Sequence, residues 1–323
     1  MPWKDGYTTS DEKTRNDEEI QWPRGHQCAF SVVVDYRVKL DDDGTGGTDA
    51  DYRIQRHPKN IELRTVNWQA EFGVKIAARR LFDLFEKYEI RATFAVPSVM
   101  ADLYPDDVSQ IIRRGHEVAA HGYRHEDIGS LKLEEEKALL QQTTEELEAV
   151  CGKRPAGWYS LPRQDEHYAG GQLSPHTLDL LIDAGYEYLG NGMADDIPYY
   201  WVTDFHTERN ILTLPYYCHF DDQFFLMFPP IGTGMNLENP RPLSQNWKEE
   251  FDAQYLRGRY FTMFIHPYLI GWGNRLELLE NMIRYIRDFS GVWNPTAIEC
   301  ARYWKTQYPS STFLKLEACI WKD

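Results

Sequence analysis

Short apolar and β-branched runs alternate along this chain with longer segments whose apolar positions recur every three or four residues. The first run, CAFSVVV (Cys28 to Val34), predicts a strand buried on both faces. Phe72 to Tyr88 carries Val74, Ala77, Ala78, Leu81, Leu84 and Phe85 at helical spacing, and Ile90 to Val96 predicts the next strand. Val108 to Arg114 predicts a helix stopped by Gly115, as a glycine just past a helix end commonly does. A short strand over Glu117 to Ala120 follows, then a long helix from Leu133 to Val150 with Cys151-Gly152 as its stop. GWYS (Gly157 to Ser160) reads as a strand, and Ser174 to Ala184 as a helix opened by a serine cap and a proline in its first turn. Tyr186 to Leu189, Asn210 to Tyr217 and Tyr260 to Ile265 predict strands; Leu276 to Phe289 and Thr296 to Tyr303 predict helices.

Strand–helix alternation of this kind implies parallel βα units, hence an α/β barrel or a doubly wound sheet. Internal repeats and low-complexity linkers are absent, so one domain over 26–305 is expected. It is flanked by a solvated polar arm (1–25, ending at WPRG) and a C-terminal extension (306–323). The Gly/Asp-rich stretch DDDGTGGTDADYR reads as a surface loop. In such folds ligands bind at the carboxyl ends of the strands. Asp35 directly follows CAFSVVV, His121 follows EVAA, Trp158 and Tyr159 end GWY, Tyr216 and Asp221-Asp222 follow ILTLP, and His266 follows FTMFI. The chemically active residues therefore fall where a site is expected.

Composition narrows the possibilities. An apolar and aromatic content of 42% in 323 residues supplies a full core, so a metal here would serve chemistry rather than folding. The formal charge of −15, without Lys/Arg clusters, disfavours nucleic acid and anionic membranes as partners and favours a small neutral or cationic substrate. Five widely spaced cysteines, with no CxxC pair, do not form a disulfide framework. Together with a polar N-terminus and no apolar run long enough to span a membrane, they lead to the expectation of a cytoplasmic protein.

Within AAHGYRHEDI, His121 and His125 stand four residues apart, a spacing that converges two imidazoles on one helix face or in an irregular turn. With Asp35 they form a two-histidine, one-carboxylate set suited to zinc or another divalent transition metal with an open coordination position. Such an ion lowers the pKa of bound water toward about 7. An HxxxH pair is also common in sequences without metal. His266 could be a general acid or a satisfied structural histidine. Arg163 could grip a carbonyl or lie on the surface, and Asp196 could bind substrate or anchor a turn before IPYY. The aromatics between Ala194 and Phe228, Tyr216 among them, could line a pocket or simply fill the core.

The segment RATFAVPSVMADLYPDDVSQIIRRGHEVAAHGYRHEDI resembles the second motif of the polysaccharide deacetylase superfamily, of NodB-homology fold. The segments GWYS, SPHTLDLLIDAGYEYLGNGMADDIPYYW, ILTLPYYCHFDD and FTMFIHPYLIGWGNRLELLENMIRYI extend the likeness to about residues 25–305. They point to the cytosolic branch of peptidoglycan deacetylase-like and allantoinase-type enzymes. The resemblance implies a distorted (β/α)7-type barrel, a homo-oligomer, and a metal held by Asp35, His121 and His125. It also implies His266 as the acid that protonates the leaving nitrogen.

One position departs from that pattern. The family's general-base aspartate falls where this chain has Val33-Val34, so Asp222, Asp165 or Glu126 must replace it, or metal-bound hydroxide acts unaided. The expected activity is hydrolysis of a small amide, imide or N-acetylated sugar. Trp158, Tyr159, Arg163, Asp196 and Tyr216 would contact the substrate, and a backbone N–H after GWY would hold the oxyanion. Two alternatives stand beside it: a metal-independent allantoinase-like hydrolase using Asp35 and His266, and a non-catalytic binding protein of the same fold.

Overall fold

A computed structural model describes residues 17–37, 72–161, 173–204, 207–226 and 239–313. Nine strands are present among them: β1 Cys28–Asp35, β2 Ala92–Val96, β3 Glu117–Ala120, β4 Gly157–Trp158, β5 Tyr188–Gly192, β6 Tyr199–Asp204, β7 Arg209–Pro215, β8 Tyr260–Ile265 and β9 Val292–Trp293. The main helices are α1 Ala78–Lys87, α2 Val99–Leu103, α3 Pro105–Arg113, α4 Leu133–Cys151, α5 Thr177–Asp183, α6 Asp222–Leu226, α7 Arg241–Arg257, α8 Pro267–Ile270, α9 Gly273–Arg287 and α10 Ala297–Gln307. The sheet runs β6-β7-β5-β4-β3-β2-β1-β8, with β9 added to β1; every pairing is parallel except the antiparallel hairpin of β6 and β7.

Alternation along the strands sorts the core into two layers. Phe30, Val32 and Val34 of β1, Phe94 and Val96 of β2, Val118 and Ala120 of β3 and Met263 and Ile265 of β8 face the helices. Ala29, Val33, Ala95, Ala119, Tyr159, Tyr188 and Phe264 form a second cluster on the opposite face. Rings meet across that inner face: Tyr216, just past β7, lies 4.6 Å from Phe264 of β8, and Tyr159 lies 6.3 Å from the same ring. The sheet is thus curled upon itself, although no β7–β8 ladder closes it among the described residues. This is an α/β fold, as the strand–helix alternation predicts, and its curl agrees with the distorted barrel that the family resemblance implies.

Two glycines make room for the inner rings. A Cβ on Gly190 would lie 1.9 Å from the Tyr159 ring, and one on Gly157 would lie 1.9 Å from the Tyr188 ring. The amino-terminal end of the barrel is filled by α10, through Ala297, Cys300, Ala301 and Trp304, and by Trp22. Trp22 is buried and donates its indole N–H to the Gly258 carbonyl at 2.8 Å. Asp17 pairs with Arg259 at 2.7 Å and Arg257 at 3.0 Å. Residues 17–25 are therefore docked on the barrel, a correction to the expectation of a solvated arm; one large apolar ring and one acid tie them down. The Gly/Asp-rich loop lies outside the described residues.

Candidate active site

Inner-face alternation carries past the strand ends and delivers the polar residues. On β1 it runs Ala29, Ser31, Val33, Asp35 and then Arg37; on β3 it runs Glu117, Ala119 and then His121; after β8 it gives His266. Asp35, Arg37, His121, His125, Asp221, Asp222 and His266 are all buried at this end.

His266 is the hub. Its Nε2 lies 3.0 Å from Asp35 Oδ2 and its Nδ1 lies 2.7 Å from Asp222 Oδ1. Asp222 also accepts the His266 backbone N–H, at 3.1 Å to each oxygen, which fixes the ring's origin as well as its orientation. Asp221 stands 3.5 Å from Nδ1 and is itself held by the Tyr216 hydroxyl at 2.9 Å and the Gln223 N–H at 2.8 Å. Burial alone would push the imidazole toward neutrality. Asp221, Asp35 and Asp222 override it and raise His266 to about 10, so the ring is an imidazolium at neutral pH. Burial likewise pushes Asp35 up, but Arg37, His266 and His121 hold it well below the usual carboxylate range. Burial raises Asp221 to about 6, with Asp222 adding to the rise and His266 opposing it.

His121 is the complementary group. Its Nδ1 donates to the Tyr159 carbonyl at 2.9 Å, which leaves Nε2 as a lone-pair acceptor. Burial lowers its pKa to about 4, and Arg37 adds to this against the pull of Asp35, so the ring is neutral. Nε2 lies 3.8 Å from Asp35 Oδ2, and neither Nε2 nor Asp35 Oδ1 has a hydrogen-bond partner, though both are buried. Two unpartnered acceptors beside a buried acid are the equipment of acid–base chemistry.

The third expected metal ligand is engaged elsewhere. His125 sits at φ 64°, a left-handed conformation that a non-glycine residue holds only where its surroundings impose it. Its Nε2 donates to the Leu161 carbonyl at 2.8 Å, and its Nδ1 accepts from Arg37 Nη1. Arg37 Nε lies 3.0 Å from Asp35 Oδ2, a charge contact without hydrogen-bond alignment, and Nη2 donates to Gln223 Oε1 at 3.1 Å. A guanidinium thus stands between two of the three expected ligands. A dication within about 4 Å of it would meet a repulsion of roughly 8 kcal/mol at an effective dielectric constant near 20. The donors do not fit a zinc ion on Asp35, His121 and His125 while Arg37 is in place. Among the described residues, Asp221, Asp222 and His266 do bring ligand atoms within 4.8 Å of one another, a set that could hold a metal.

Several expected roles are corrected by the geometry. Asp222 is committed to His266 and is not available as a base. Glu126 accepts the Tyr123 and Arg124 N–H groups of its own turn. Trp158 faces the helices, with its indole N–H on Ser160 Oγ at 2.9 Å and its ring against Tyr186, because its neighbour Tyr159 takes the inward parity. Asp196 pairs with Arg257 and Arg259, two cations beside the docked N-terminal segment. The Ser160 N–H, offered for an oxyanion, is taken by Asn191 Oδ1 at 2.7 Å. Tyr159 and Tyr216 do reach the site, through a carbonyl and a hydroxyl. Asp165 and Arg163 lie outside the described residues. Sequence reasoning missed Arg37 and Gln223, and placed Asp221 at the site without giving it a role; the parity of Arg37 with Asp35 was a usable signal.

Comparison with known proteins agrees with this architecture. Residues 71–189 match the polysaccharide deacetylase family. The peptidoglycan deacetylase of Helicobacter pylori is 26% identical over 288 residues, covering 82% of this chain and 93% of its own length. Among solved structures, Puue allantoinase superposes with a TM-score of 0.77 at 22% identity, over 92% of this chain and 95% of that one. A polysaccharide deacetylase-type protein of Pseudomonas aeruginosa gives 0.77 at 23% identity, over 92% and 96%. These two likenesses concern the fold. Among the described residues no helix is long and apolar enough to cross a membrane.

Proposed function

We propose that this chain, whose residues 71–189 match the polysaccharide deacetylase family, is a hydrolase of non-peptide carbon–nitrogen bonds that cleaves a small amide, cyclic imide or ureide, or N-acetylated sugar at the Asp35–His121–His266 cluster. The observation that carries this reading is His266, clamped at 3.0 Å to Asp35 and 2.7 Å to Asp222 as a buried imidazolium beside a neutral His121. His121 Nε2 takes a proton from water, and the hydroxide oxygen attacks the carbonyl carbon. As the C–N bond breaks, His266 Nε2 gives its proton to the leaving nitrogen. The products are an amine and a carboxylate, joined in one molecule if the amide was cyclic. Asp222 positions the acid, and Asp35 accepts its Nε2–H until the leaving nitrogen takes that proton. His121 takes the part expected of an aspartate at Val33, because its Nδ1–H is anchored and its other nitrogen is bare. No step requires a metal on Asp35, His121 and His125.

The family also contains metal-dependent members, so the nature of the cation decides between the two enzymatic readings. A panel of cyclic imides, ureides and N-acetylated sugars, assayed by amine release or ring opening, tests the proposal. Turnover by the wild type that disappears in His266→Asn is the expected result. Binding of a panel member without turnover would leave a binding protein instead.

A further inference from the structure

We propose that the guanidinium of Arg37 is the resident cation of this site and closes the Asp35–His121–His125 position to divalent metal. The inference concerns the same centre as the hydrolase reading. Its readout is zinc stoichiometry rather than turnover, so the two can fail separately.

Arg37 reaches the position because it lies two residues beyond Asp35 on the same inward parity, at the mouth of β1. It is 4% exposed, and three partners from three different parts of the chain fix its head group: Asp35, His125 and Gln223. Gln223 in turn stands next to Asp222 at the start of α6, so the guanidinium is braced by the segment that also clamps His266. His125 has two ring nitrogens, and both are committed, one to the Leu161 carbonyl and one to Arg37. Turning Nε2 toward Asp35 would strip a buried carbonyl of its donor and leave Arg37 without its imidazole acceptor. Only Asp35 Oδ1 and His121 Nε2 stay open, one ligand fewer than a catalytic zinc site takes from its protein. Charge points the same way. The Arg37 guanidinium already lies 3.0 Å from Asp35 Oδ2, so an incoming dication would not be meeting an uncompensated carboxylate there.

The experiment is a zinc titration by calorimetry, with elemental analysis, on protein first dialysed against a chelator. Wild type should take up no zinc that depends on His121. Arg37→Ala should gain one zinc per chain, and adding His121→Ala to it should remove that zinc. Arg37→Met covers the case in which Arg37→Ala is unfolded by near-ultraviolet circular dichroism. Arg37→Lys, which keeps the charge, should still exclude the ion. The proposal is overturned if wild type binds one zinc that His121→Ala abolishes, if folded Arg37→Ala or Arg37→Met gains none, or if Arg37→Lys binds as well as Arg37→Ala.

Discussion

Asp35 and Glu117 are both carboxylates on the inner face of the barrel, buried to 1% and 5% exposure, and they stand at opposite strand ends. Glu117 opens β3. It is satisfied by neutral donors: the Tyr188 hydroxyl at 2.8 Å, the Thr93 hydroxyl at 2.9 Å and the Ile298 N–H at 2.8 Å. Burial raises its pKa, and those three hydrogen bonds oppose the rise without cancelling it. Asp35, just past the residues that pack the barrel, is met instead by a guanidinium and an imidazolium and is held ionised. The amino-terminal end uses its acid to lock α10 onto the sheet. The carboxyl-terminal end places a proton donor and two bare acceptors within a few ångströms of one another. In this protein, buried polarity serves stability where neutral hydrogen bonds saturate it, and chemistry where charges are left facing each other.

The comparison makes graded predictions. The largest concerns His266: replacing it with Ala should lower kcat by about 10²–10⁴-fold, the range expected for loss of a general acid. It should also strip Asp35 and Asp222 of their shared cation. Steady-state kinetics on any substrate from the panel measures this, and an unchanged kcat would remove His266 from the reaction. Glu117→Gln should leave kcat alone yet cost about 1–3 kcal/mol in urea unfolding, because an amide cannot accept from all three donors. Tyr188→Phe removes one of those donors and should cost about 1 kcal/mol, again without a kinetic effect.

Titration sharpens the contrast further. Glu117 is raised above the ordinary glutamate value of 4.5, so the folded state holds its proton more tightly than the unfolded chain. That contribution is complete below the unfolded pKa and is lost as pH rises through the folded one. The stability gap between wild type and Glu117→Gln should therefore narrow as pH is raised from about 4 to about 7. A gap that widens over that range would mean the carboxylate, not the acid, is the form the fold prefers.

Much of this was legible from the residues. CAFSVVV, EVAA and FTMFI were readable as buried strands, and their ends led directly to Asp35, His121 and His266. The strand β6 was missed because YYWVTD carries aromatic residues without the β-branched run that marks β1, and because, among the described residues, it pairs along one edge alone. Helix α7 was missed because its buried residues, Leu243, Trp247, Phe251 and Gln254, make a narrow stripe in an otherwise charged segment. At the site, residue types and spacing identified the histidines, but they could not show which nitrogen each ring presents. His121 and His125 differ only in their carbonyl partners, Tyr159 through Nδ1 and Leu161 through Nε2, and that difference turns one ring into an acceptor and hands the other to Arg37. Trp158 and Tyr159 illustrate the same limit, since a one-residue step along a strand exchanges inside for outside.

The most direct test of the account is a crystal structure of the wild-type protein grown with excess zinc, with anomalous data collected at the zinc edge. The account predicts guanidinium density joining Asp35 to His125 and no anomalous peak between them. An anomalous peak bonded by Asp35, His121 and His125, with the Arg37 side chain displaced, would contradict it.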